Sequence, residues 1–241
     1  MVSQTHCYAT ECPPQHLRVF DAASGAEFAF VRGHGYIVGQ VAFADGDRQI
    51  VAVCSDATVR IWNRMTGEQT LRLELDQELW PDGELPIAPW PVSVGERALV
   101  ACANGRLLVW DHQTRQQIGR WEDADAAVLT TPLSVGRDCV AYATTGDPVR
   151  IRIRSLTGQP IVECHYPGTD PPLSLALSSD GHRLVAGGGA MDPAVRVWEL
   201  PAGTLIAELD FHAFEVFAVA AQPSPGLIVS GGFDGTIFIW D

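Results

Sequence analysis

Residues 211–241 read FHAFEVFAVAAQPSPGLIVSGGFDGTIFIWD, and this stretch decides the fold. It holds three strand-length apolar runs, VFAVAA, LIVSGG and TIFIW, with the tight-turn dipeptide Asp234-Gly235 before the third. The last run recurs upstream. Segments LRVF, VRIW, LLVW, VRIRI, VRVW and IFIW end at Phe20, Trp62, Trp110, Ile153, Trp198 and Trp240, so the separations are 42, 48, 43, 45 and 42 residues.

Other residues keep the same phase. Asp56, Asn104, Asp147, Asp192 and Asp234 each stand six residues before a segment end. Gly25, Gly67, Gly158 and Gly203 stand five residues after one, with Arg115 the exception. Each period reads as four short strands joined by turns, and no helical periodicity competes. A period of about 40–45 residues with four strands is that of a propeller blade. The expected fold class is all-β, a β-propeller built of four-stranded antiparallel blades. Residues 1–241 form a single domain with about five complete repeats and partial blades at both ends.

The residues carrying this pattern resemble the WD-repeat (beta-transducin-like) family. Phe211-His212 stands where that family has Gly-His, and Gly33-His34 opens a second clear repeat that runs to Trp62. The resemblance covers nearly the whole chain, and the repeats ending at Trp110 and Ile153 are degenerate. It implies a hydrogen-bonded set within a blade, formed here by His212, Ser230, Asp234 and Trp240. The repeat of His34, Asp56 and Trp62 has Ala52 at the serine position, so its set is incomplete. Such a set gives a buried indole N–H an acceptor and fixes an imidazole tautomer. A Ser, a His and an Asp also invite a hydrolase reading, but no GxSxG nucleophile elbow occurs and the trio keeps blade phase.

Composition narrows the function. Hydrophobic residues make up 46% and charged residues 19%, which suits a packed core rather than disorder. The formal charge is -13 and all sixteen cations are arginine, so general nucleic-acid binding is disfavoured by phosphate repulsion. No apolar run is long enough to span a membrane, and the N-terminus has no signal-peptide pattern, so a cytoplasmic protein is expected. Of six cysteines none forms a CxxC pair, and Cys7 and Cys12 have no partner pair downstream, so neither a metal nor a cofactor is expected. Gly187-Gly188-Gly189 offers no nucleotide site, because a lysine-free chain has no Walker lysine.

Two places break the pattern. In Val149–Arg154 strict spacing from Asp147 would turn Arg150 and Arg152 inward, whereas strand alternation turns Val149, Ile151 and Ile153 inward. Burying unpaired arginines costs several kcal/mol or more, so alternation is preferred and the arginines are expected to pair with local acids. The chain is also expected to begin inside one blade and to end after a third strand. It then represents a portion of a larger propeller, unless residues 26–31 close the ring on the last strand.

The expected function is a protein-interaction scaffold that binds a partner protein or peptide without catalysis. In the family a frequent docking face carries the loop before each first strand and the tight turn before each third. By position that face carries Tyr36, Met191, Phe214 and Phe233. The long period places Trp80 in an acidic, proline-rich loop suited to a basic peptide. The alternative is a propeller enzyme of the quinone-dependent dehydrogenase type, whose D-x-x-T-G element is approached by Asn63 with Thr66-Gly67 and by Asp111 with Thr114-Arg115. The tryptophan due four residues later is missing, as Leu71 and Gly119 show.

Overall fold

A computed structural model describes residues 2–4, 17–20, 24–31, 38–44, 48–54, 58–74, 92–94, 98–103, 105–111, 113–114, 116–126, 132–168, 170–223 and 226–241. They form six antiparallel sheets whose strands follow in chain order. The first sheet holds β1 (Val2–Gln4), β2 (Leu17–Phe20) and β3 (Glu27–Val31). The second holds β4 (Val38–Ala44), β5 (Gln49–Cys54), β6 (Thr58–Asn63) and β7 (Gln69–Glu74). The third holds β8 (Val92–Val94), β9 (Ala98–Ala103), β10 (Arg106–Asp111) and β11 (Gln116–Glu122). The fourth holds β12 (Leu133–Val135), β13 (Cys139–Ala143), β14 (Arg150–Ser155) and β15 (Pro160–His165). The fifth holds β16 (Ser174–Leu177), β17 (Arg183–Gly187), β18 (Val195–Glu199) and β19 (Thr204–Leu209). The sixth holds β20 (Val216–Ala221), β21 (Ile228–Gly232) and β22 (Ile237–Trp240). A single 3-10 turn, Ala124–Ala126, interrupts the β structure of the described residues.

The five periods thus resolve into four four-stranded sheets with a three-stranded sheet at each end. First strands of successive sheets lie side by side, β4 by β8, β8 by β12, β12 by β16 and β16 by β20. The sheets are therefore stacked like blades around those inner strands. The segment considered as a closing strand contains β3, which pairs with β2, and the described pairing of β22 is with β21.

Strand alternation gives each sheet a front face toward the next sheet and a rear face toward the one before. Leu17 and Val19 meet Ile50, Ala52 and Trp62. Val185, Val195 and Val197 meet Val216, Ile228 and Trp240. Comparable clusters join the third sheet to the fourth and the fourth to the fifth. Burial of these aliphatic side chains, each contributing about 1.5–3 kcal/mol, is the main force holding blade on blade.

Two of the hairpins that join third to fourth strands share one construction. Gly67 has φ +70° and donates its N–H to the Asn63 carbonyl at 2.9 Å, and Gly203 has φ +69° and bonds Glu199 in the same way. Only glycine takes that φ without strain, which explains the in-phase glycines. The turn adds one residue, and a bulge follows at Val19/Phe20, Ile61/Trp62, Val109/Trp110, Ile153/Arg154 and Val197/Trp198. The fourth repeat therefore ends at Arg154, one residue beyond the Ile153 expected from sequence. Alternation prevailed as expected there: Val149, Ile151 and Ile153 are buried.

Candidate functional site

The loops before the first strands and the turns before the third strands come together beside the fifth and sixth sheets. Leu173 N–H donates to Gly187 O at 2.8 Å, and Val216 N–H to Gly188 O at 3.0 Å. The Ser174 hydroxyl donates to Val216 O at 2.8 Å, and Phe233 N–H to Glu215 O at 2.8 Å. The glycine run makes this closeness possible. A Cβ on Gly187 would lie 2.7 Å from Val216 O, and one on Gly188 would lie 1.9 Å from Asp192 O. These glycines serve packing.

Between these loops lies an open cavity of 310 Å³, lined by Asp170, Pro171, Pro172, Gly189, Ala190 and Glu215 among others. Met191, next to Ala190, is 82% exposed, and Phe214, next to Glu215, is 54% exposed. Phe233 is 72% exposed and meets Phe217 edge-on, with ring centroids 6.1 Å apart. Three of the five partner-binding candidates are thus solvent-facing in this group of loops. Tyr36 and Trp80 lie outside the described residues. Sequence reading missed the acids Asp170 and Glu215, because they come from different blades. Their common signal, a position just ahead of a first strand, is legible only once blades are aligned.

In the sixth sheet, His212 Nδ1 stands 2.9 Å from Asp234 Oδ2 and Nε2 stands 2.8 Å from Ser230 Oγ. The Trp240 indole N–H donates to Ser230 Oγ at 3.0 Å. The carboxylate accepts a hydrogen bond from Nδ1–H, so Nε2 accepts from the serine hydroxyl, whose oxygen accepts from the indole. Asp234 also accepts from the Thr236 hydroxyl and from the N–H groups of Thr236 and Ala213. The Thr236 hydroxyl first, then these N–H donors and His212, hold its carboxyl well below the usual range. Ser230 has no exposed surface, and the set ties the loop before β20 to β21 and β22. Trp62 is buried beside Ala52, whereas His34 and Asp56 lie outside the described residues.

The fourth sheet builds a different brace on the same positions. Arg154 holds the tryptophan position and Tyr142 pairs with Arg152 as Ser230 does with Phe238. Arg154 Nε donates to the Tyr142 oxygen at 2.7 Å, and that hydroxyl donates to Asp123 at 2.7 Å. Arg152 binds Asp123, Asp125 and Glu163. Burial pushes the Tyr142 phenol up to about 12, aided by its bond to Asp123. Burial alone would raise the Asp123 carboxyl, but Arg152 and Tyr142 outweigh it and hold the carboxyl below its ordinary value. The arginines of the VRIRIR run thus pair with acids of their own region. Arg196 repeats the scheme in the fifth sheet with Asp192 and Glu208.

Hairpin chemistry gives a local role to the residues that approach the D-x-x-T-G element. Asn63 Oδ1 accepts from the N–H groups of Met65 and Thr66, and Asp111 Oδ1 from those of Gln113 and Thr114.

Comparison with known proteins agrees with this architecture. The family model described as "WD domain, G-beta repeat" matches residues 25–63, 158–199 and 203–241. Each match begins at or just before a fourth strand and ends with the third strand of the next sheet, so repeat and blade are offset by one strand. The chain is 26% identical over 218 residues to cell division cycle 20.1, cofactor of APC complex, from Arabidopsis thaliana, covering 81% of this chain and 43% of that protein. It is 23% identical over 227 residues to a striatin homolog from Dictyostelium discoideum, covering 88% of this chain and 27% of that protein. Over 53 residues it is 43% identical to the small ribosomal subunit protein RACK1y of rice, covering 22% of this chain and 16% of that protein. The chain therefore spans less than half the length of these relatives. With six stacked antiparallel sheets, the recurring third-strand ends and these matches, the chain belongs to the WD-repeat family of β-propeller proteins.

Proposed function

We propose that this chain is a protein-interaction scaffold that docks a partner protein or peptide on the loop face of the fifth and sixth blades, without catalysis. The observation carrying this reading is the exposure of Met191, Phe214 and Phe233 around a cavity with two carboxylates. Exposed methionine and aromatic side chains are what interface centres use. No ion pair between described residues engages Asp170 or Glu215, and with a net charge of -13 they favour a partner bearing a cationic side chain. Names of two relatives, a cofactor of the APC complex and a ribosomal subunit protein, describe work within assemblies.

Photo-cross-linking tests it. A photoreactive residue at Met191 or Phe233 is expected to trap one discrete polypeptide in an extract of the source cells. Ala202, exposed in a turn at the opposite end of the blades, should trap none. Phe214→Ser with Asp170→Asn should abolish the adduct. Equal adducts from Ala202, or no discrete adduct from the loop face, would overturn the proposal.

A further inference from the structure

The tight turn before β18 holds a thioether in open solvent. The chain has three methionines, and the two among the described residues, Met65 and Met191, are 71% and 82% exposed. They stand at opposite ends of the blades, Met65 in the hairpin between β6 and β7 and Met191 in the turn between β17 and β18. The neighbours of Met191 impose its exposure. Asp192 donates its N–H to Gly189 O at 3.1 Å and accepts two hydrogen bonds from Arg196, at 2.9 and 2.8 Å. Arg196 is buried, so it clamps the turn from within the blade. A Cβ on Gly188 would lie 1.9 Å from Asp192 O, so the turn is already packed against its own backbone. The loop face surrounds this thioether: Ala190 and Glu215 line one cavity, and Phe233 N–H donates to Glu215 O at 2.8 Å.

We propose that Met191 is a modification site, oxidised by hydrogen peroxide to the sulfoxide, and that this oxidation weakens docking on the loop face; it rests on the docking function proposed above. A lone pair of the sulfur attacks one peroxide oxygen, and an S–O bond forms as the O–O bond breaks. The departing hydroxide takes the proton of the transferred oxygen and leaves as water. Sulfur is oxidised by two electrons and the peroxide is reduced by two. The reaction needs an accessible thioether and no ionised group, which suits an exposed methionine beside acidic residues. A thioether adapts to an apolar partner surface, whereas a sulfoxide is polar and loses hydration when covered. Met65 meets the same oxidant at the far end of the blades, outside the docking face, and serves as the internal control.

The test treats the purified chain with peroxide, removes the peroxide, and uses the adduct formed by a photoreactive residue at Phe233 as its probe. Peptide mass spectrometry is expected to find one added oxygen on Met191, and the adduct yield should fall by about fivefold or more. Met65→Leu should show the same fall. Met191→Leu, with no sulfur at the position, should give one yield with and without peroxide. Methionine sulfoxide reductase with a dithiol should restore the wild-type yield, whereas the dithiol alone, which reverses only cysteine oxidation, should not. That arm carries the test if Met191→Leu does not dock. Three results would overturn the inference and leave docking itself standing: an unchanged yield from oxidised protein, an equal fall in Met191→Leu, or a fall that accompanies loss of the β-type circular dichroism signal. Absence of any adduct before peroxide is added would overturn the docking function and this inference with it.

Discussion

Replacing Ser230 with alanine is the sharpest probe of the sixth blade. Its hydroxyl links the imidazole of His212 to the indole of Trp240 by hydrogen bonds of 2.8 and 3.0 Å. Without it, His212 Nε2 loses its donor inside a buried site and the indole N–H loses its acceptor. Orphaning a buried polar group costs about 1–3 kcal/mol. His212 is buried and bears that cost in full, whereas half-buried Trp240 recovers part of it from water, so the loss is about 2–4 kcal/mol. Because blades unfold with some independence, the loss is read locally, by amide hydrogen exchange in β21 and β22. At about 1.4 kcal/mol per tenfold, exchange there should accelerate by roughly 30- to 700-fold. Ser179→Ala, an exposed turn position of the fifth sheet, is the control. If Ser230→Ala speeds exchange no more than Ser179→Ala does, the hydrogen-bonded brace is not what holds this blade.

The fourth blade should lose stability in acid. Asp123 titrates below its unfolded value, so its contribution is present above about pH 4 and lost as pH falls through the lower folded value. Thermal melts of Asp123→Asn should therefore show a flatter acid limb than wild type, and an unchanged limb would dismiss the Arg152 and Tyr142 contacts as its cause. Gly188→Ala should destabilise the junction of the fifth and sixth sheets by about 1–3 kcal/mol or more, since its Cβ would collide with backbone; denaturant melts measure this.

Much of the fold was legible because its causes are local. The DG and in-phase glycine turns, and the two-residue alternation of VRVW and IFIW, depend on neighbours within one hairpin. Alternation even placed Ile151 and Ile153 correctly against the count from Asp147, because burying two arginines costs more than a bulge. Less of the site was legible. Met191, Phe214 and Phe233 were readable as turn positions, but the cavity beside them needs Asp170 from one loop and Glu215 from another. Arg154 and Tyr142 replace a tryptophan and a serine by different chemistry, so matching residue types could not find them.

The sequence by itself determined the period, the strand phase and the inward side of each strand. These follow from turn chemistry and from the cost of burying charge. Only the tertiary structure decided which faces are covered and which groups meet across blades. The hydrogen bonds from Ser174 to Val216, from Leu177 to Ser134 and from Arg183 to Gly226 span 42, 43 and 43 residues, one full period. No local pattern encodes such contacts. They arise because stacking brings residues of equal phase together.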